Sequence, residues 1–228
     1  CDMKKFAKMA LAAAIAGLGL AANANVVIDD FLTEGQSVSD ATIDATGALS
    51  SSGFSSSILG GYRDIYVTRD GTVPIIDPTA QVKGKVLPAG GVFSYSSDDY
   101  ANGWGFIRWD GANTSLSIDK VGLGHKDLSG ASAFQVSAIT NDLGFPFSID
   151  VYTDASNWAS LTLYSLGTGV FNIDFADFIG TPALLPSGAV RTGEGTVDFQ
   201  DIGALQVTFN FDALTQKGFK SQLDFSIG

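Results

Sequence analysis

Cysteine is almost missing. The single thiol, Cys1, stands ahead of the first methionine. Disulfide staples, thiolate metal ligands and cysteine nucleophiles are therefore excluded for the chain downstream of it. Histidine is as scarce: His125 is alone, in the Gly-rich "GLGHKDLSG", so a zinc site lacks ligands and a Ser-His-acid set would have to use that one loop residue. No G-x-S-x-G elbow, P-loop or dinucleotide fingerprint is present. Glutamate is limited to Glu34 and Glu194, each beside a glycine, and no spacing of aspartates singles out a glycosidase pair. Charged residues make up only 16%, and there are four arginines. Long apolar runs are also lacking, apart from residues 9–20, about a dozen positions and too short to span a bilayer, which takes roughly 20.

That one run belongs to an export signal. "MKKFAKMALAAAIAGLGLAANA" has Lys4, Lys5 and Lys8, then the apolar stretch, then Ala22-Asn23-Ala24 as an A-x-A cleavage pattern. Residues 1–24, including the two before Met3, read as a signal-peptide helix, and residues 25–228 as one secreted domain with no further membrane insertion. Losing Lys4, Lys5, Lys8 and Asp2 takes the net charge from −11 to −13. An acidic surface argues against nucleic acid and anionic membranes as partners. It suits solubility outside the cell and divalent cations as guests.

Hydrophobic residues reach 45%, with 27 Gly and 16 Phe, a balance that suits a packed core of short strands and tight turns. Period-two alternation recurs in ten or more segments, from "VVIDDFL" through "YRDIYVTR", "GVFSYS", "WGFIRWD", "TSLSID", "PFSIDVYTD" and "WASLTLYS" to "ALQVTFNF". The expectation is all-β, a single antiparallel β-sandwich. Asp70-Gly71 and Asp110-Gly111 suggest type I′ hairpins. Residues 179–195 read as a long irregular segment, and "NFDALTQKGF" as the best helix candidate after the leader.

Four residue sets stand out. In "GGYRDIYVTRDG", Arg63 and Arg69 share the face of Ile65 and Val67, while Tyr62, Asp64, Tyr66 and Thr68 share the other. Arg108 likewise ends "WGFIRWDG". Arg63 and Arg108 are expected to be structural braces, with stems on apolar surface and heads held by carboxylate or carbonyl partners at the core margin. Tyr62, Asp64, Tyr66, Trp104 and Trp109 are the candidate glycan site, because rings stack on pyranose faces and carboxylates accept hydroxyl hydrogen bonds. Asp98, Asp99 and Asn102 in "SSDDYANG" are the first choice for calcium, which wants clustered oxygen ligands. Asp29, Asp30, Asp198 and Asp201 are further candidates. No other cofactor is called for.

The order "VVIDDFLTEGQSVS", "ILGGYRDIYVT", "WGFIRWDG", "VDFQDIGALQVTF" and "LDFSIG" resembles exported bacterial β-sandwich proteins of the PEP-CTERM, exosortase-associated type. The resemblance implies a jelly-roll-like sandwich at the cell surface or in the extracellular matrix, and carries over no catalytic residues. The Pro-Glu-Pro sorting tail of that type is not among these residues, so either free secretion or a tail beyond Gly228 is expected. Three functions follow in order: a non-catalytic glycan-binding or adhesive surface protein; a structural subunit that self-associates through an exposed first strand at residues 25–32; and a hydrolase acting on polysaccharide.

Overall fold

Burial alternates residue by residue along Gln36–Asp40, Val82–Leu87 and Val92–Ser97, because one side of each faces a second sheet, whereas Asp64–Arg69 is buried on both sides. The computed structural model describes residues 26–44, 46–70, 77–112, 114–141, 145–164, 168–179, 189–212, 217–218 and 223–227. The expected signal peptide at 1–24 lies outside them.

The first sheet holds, from edge to edge, β1 (Gln36–Asp40), β4 (Val82–Leu87), β5 (Val92–Ser97), β15 (Asp224–Ile227), β7 (Ala133–Asn141) and β10 (Gly169–Asp174). The second holds β11 (Val190–Glu194), β9 (Trp158–Tyr164), β8 (Pro146–Tyr152), β12 (Ala204–Phe209), β6 (Gly103–Trp109), β3 (Asp64–Arg69) and β2 (Ala48–Ser51). All pairings are antiparallel. Four of them nest: β5 with β15, β6 with β12, β7 with β10, and β8 with β9, alternating between the sheets. A long antiparallel ribbon rolled in this way is a jelly roll, so the protein is an all-β sandwich of that topology.

The abundant phenylalanine is accounted for between the sheets. Phe93, Tyr95, Phe209 and Phe225 pack with ring centroids 5.0–6.1 Å apart, and a second knot joins Phe134, Phe175, Phe178 and Phe199. Gly105 makes room for this: a Cβ there would lie 2.4 Å from the Tyr66 carbonyl oxygen and 2.6 Å from the Phe209 ring.

Several local expectations change. Residues 26–32 do not form a strand; only Asp29 makes an isolated bridge, to Ile58, and Phe31 has φ 52°. Burial of Asp29 against Arg63 overrides the alternation there, and the donor strand expected for self-association is not formed. "TSLSID" lies in the connection between β6 and β7. The Asp70-Gly71 turn lies outside the described residues from Gly71 on. Asp110-Gly111 does not close a hairpin: it follows β6, whose successor β7 lies in the other sheet, so the chain leaves rather than doubles back. "NFDALTQKGF" contributes a two-residue ribbon, β13 (Phe211–Asp212) with β14 (Lys217–Gly218), and the α-helix among the described residues is α1, Ala176–Ile179. Within the expected irregular stretch, residues 180–188 lie outside the described residues and β11 follows them.

Candidate functional site

Arg63 is fully buried, and all five of its N–H groups are engaged. Nη1 donates to both Asp29 carboxylate oxygens (2.8 and 2.7 Å), Nε to Gln36 Oε1 (2.7 Å), and Nη2 to the Glu34 and Thr33 carbonyls (2.7 and 3.4 Å). Asp29 also accepts from Trp109 Nε1 at 3.0 Å. Arg69 donates to the Ala41 and Asp77 carbonyls at 3.0 and 2.9 Å. These arginines tie irregular segments to the sandwich margin and leave no donor for a ligand at Arg63.

Arg108 points the other way, onto the outer face of the seven-stranded sheet. Cross-strand register lines up Ser51, Asp64, Arg108, Gln206, Asp150, Ser160 and Thr192 in one polar row. Arg108 Nε donates to Gln206 Oε1 at 2.8 Å, and Gln206 Nε2 donates to Asp150 Oδ2 at 3.2 Å. Its Nη atoms donate to the Ser115 and Leu116 carbonyls, each at 3.2 Å, while the guanidinium lies 4.1 Å from the Phe106 ring centroid. Arg108 thereby pins the β6–β7 connection over one half of this face. Burial is the main cause that lowers its pKa, opposed by the nearby Asp110 and Asp64.

The covered half contains most of the sequence-predicted glycan site. Asp64 is buried, bonded to Ser51, and its Oδ2 has no hydrogen-bond partner. Burial raises its pKa to about 6. Tyr66 is buried, stacked on Phe106 at 5.0 Å and tilted against Trp104 at 5.5 Å. Trp104 packs on Phe211 at 4.8 Å, and Tyr62 packs edge-on against Phe54 at 5.6 Å. Trp109 is buried on the opposite face, in the core. The five residues therefore do not form one open surface: alternation puts Trp109 on the wrong side, and loops cover Asp64 and Tyr66.

Several of the calcium candidates are engaged with other partners. Asp98 pairs with Lys83 at 3.0 Å and accepts the Gln81 N–H, and Asn102 Nδ2 donates to the Gly218 carbonyl at 2.6 Å. Asp29 is taken by Arg63, and Asp201 contacts His125. Among the described residues no group of three His, Cys, Asp or Glu side chains is placed to hold a metal ion.

The other half of the outer face, formed by β12, β8, β9 and β11, is the more accessible: most of its outward residues are half-buried or exposed, although Lys120 of the β6–β7 connection reaches in at Tyr152. Tyr152 and Trp158 are cross-strand partners, half-buried and stacked at 5.9 Å with their planes 21° apart. The turn 153–157 fixes them: Asp154 accepts the Ser156 and Asn157 N–H groups at 2.7 and 3.0 Å, and Thr153 N–H reaches the Asn157 carbonyl at 2.9 Å. Asp150 lies two residues along β8 on the same face, held by Gln206, and burial raises its pKa to about 6. Glu194 is the partner of Trp158 on β11 and is exposed. Sequence reasoning missed Tyr152, Trp158, Asp150 and Gln206. The available signal was "VYTDASNWAS", whose turn sets tyrosine opposite tryptophan.

A separate cleft of about 500 Å³ opens beside the N-terminal segment, between Val26, Val27, Leu128, Phe134, Asn172 and Phe175. Gln135 and Asn172 on its wall bond to each other at 3.2 Å. Comparison of the sequence with protein-family models and with curated proteins finds no match.

Proposed function

We propose that this is an exported, non-catalytic β-sandwich that binds glycans at the cell surface or in the extracellular matrix. The observation that carries this reading is the more accessible half of the seven-stranded sheet. There a rigid Tyr152–Trp158 pair stands next to a hydrogen-bonded carboxylate and amide, Asp150 and Gln206. Rings offer flat apolar area to a sugar face, and the polar row accepts and donates at its hydroxyls. The two halves of that function are held by different devices: the turn 153–157 orients the rings, and the relay from Arg108 through Gln206 orients Asp150.

Asp64 and Asp150 stand too far apart to act as a glycosidase pair. Asp64 and Asp150, the aspartates whose pKa is raised to about 6, are three strands apart in register. At about 4.8 Å per strand that is roughly 14 Å between backbones. Glycosidase carboxyl pairs stand roughly 5–9.5 Å apart.

Retention of the processed protein on a panel of insoluble and immobilised polysaccharides tests the proposal. Binding of the wild type to at least one glycan is expected, with loss in Trp158→Ala and little change in Tyr62→Ala. Equal retention of wild type and Trp158→Ala on every glycan bound would place the site elsewhere.

A further inference from the structure

Charge around the open rings suggests what kind of sugar they take. Tyr152 and Trp158 are flanked by carboxylates on two sides: Asp150 one pleat back along β8, and Glu194 across the next strand gap. A step of two residues along a strand is about 7 Å, and one strand spacing is about 4.8 Å, so both acids lie within one sugar unit of the rings. The rings themselves already draw a cation: Lys120 Nζ sits 5.3 Å from the Tyr152 ring centroid. Trp158, the stronger cation–π partner of the two, carries no such occupant among the described residues. Arg108, the nearest arginine in the polar row, has its donors on Gln206, Ser115 and Leu116 and offers none to a ligand, while its charge still acts on Asp150 and Tyr152. The whole chain is acidic at −11, which opposes a uronate or sulfate ligand.

We infer that this face prefers a glycan bearing a protonated amino group, whose ammonium sits over Trp158 between the Asp150 and Glu194 carboxylates while the pyranose ring lies along the Tyr152–Trp158 pair. This rests on the glycan-binding reading above and names its ligand class. An ammonium in that place gains two charge-assisted contacts and a cation–π contact. An N-acetyl group or a hydroxyl at the same carbon can donate one hydrogen bond to a carboxylate but gains neither the ion pairs nor the cation–π contact. No bond is made or broken.

The test uses three oligosaccharides with one β-1,4-linked backbone that differ only at carbon 2: a glucosamine tetramer, its N-acetylated form and a glucose tetramer. Titration of the processed protein, followed by tryptophan fluorescence and calorimetry at pH 6.5, should show the glucosamine tetramer binding at least about tenfold more tightly than the other two. Asp150→Asn and Glu194→Gln should each bring the three ligands closer together. Both are isosteric, and circular dichroism checks that they fold. Equal affinity for the three ligands would overturn the amino-sugar assignment while leaving glycan binding in place. Tighter binding of either neutral tetramer would overturn it in the same way. No binding of any of the three, with retention on other polysaccharides, would also reject it. Absence of binding on the whole polysaccharide panel would remove the glycan reading itself.

Discussion

Arg63 and Asp64 are neighbours in sequence and opposites in circumstance. Period-two alternation made their separation legible: one side chain goes to the core margin and the other to the outer face. Arg63 has a full set of acceptors, so its burial is compensated. Arg63→Ala should destabilise the fold by about 3–5 kcal/mol, because Asp29 would be left buried with its countercharge removed. Chemical denaturation checks this, and a loss under 1 kcal/mol would mean that the brace is dispensable. Asp64 is the reverse case. Its burial was not legible, because alternation says which face a residue takes but not whether a loop will cover that face. Its carboxyl keeps its proton up to about pH 6 in the folded chain, against an ordinary 3.8. Between those values the folded state holds more protons than the unfolded one, so stability falls as pH rises through the window, by about 2 kcal/mol for this group. Asp150 acts with the same sign. Asp44, Asp77, Asp127 and Asp154, whose pKa values are lowered by hydrogen bonds within their own turns, act with the opposite sign in more acid solution. The melting temperature should therefore be higher near pH 5 than at pH 7.5. Asp64→Asn should flatten that difference, and scanning calorimetry across pH would show an unchanged slope if the account is wrong.

At the scale of elements, β3, β5 to β10 and β12 were legible because apolar and polar residues alternate between recognisable turns, whereas β4, with Lys-Gly-Lys at its centre, and β11, inside the stretch read as irregular, were not. Connections were less so. An Asp-Gly pair reports a sharp reversal of the backbone, and at Gly111 the φ of 86° bears that out, but it cannot say whether the chain then pairs with the strand it left or crosses to the facing sheet. The β6–β7 connection crosses, and Arg108 holds its residues 115 and 116 against the outer face. Arg108→Ala removes the donors to the Ser115 and Leu116 carbonyls. Limited proteolysis should then cut within residues 111–120 several times faster than in the wild type, and unchanged cleavage would show that the segment is held by other contacts. Inside β6, Gly105 is needed for close approach: Gly105→Ala drives a Cβ into the Tyr66 backbone and the Phe209 ring, and should cost on the order of 2 kcal/mol by urea unfolding.

For the whole molecule, the nested pairing of β5 to β15 sets the site. Winding the ribbon brings β12, distant in sequence, beside the β8–β9 hairpin, and the added β11 extends them to a platform. Composition and alternation predicted two stacked sheets, whereas the strand order depends on pairings between residues as distant in sequence as Phe93 and Ile227, which period-two patterns do not encode. For the same reason the predicted aromatic set mixed residues of two faces, and the ring pair that is open went unnoticed although its hairpin was readable. The most direct measurement is an NMR titration of the isotopically labelled, processed protein with a glycan it retains. Shift changes should concentrate at Tyr152, Trp158, Asp150, Ser160 and Gln206. Changes centred on the cleft by Val26 and Phe134, or on Tyr62 and Phe54, would contradict the account.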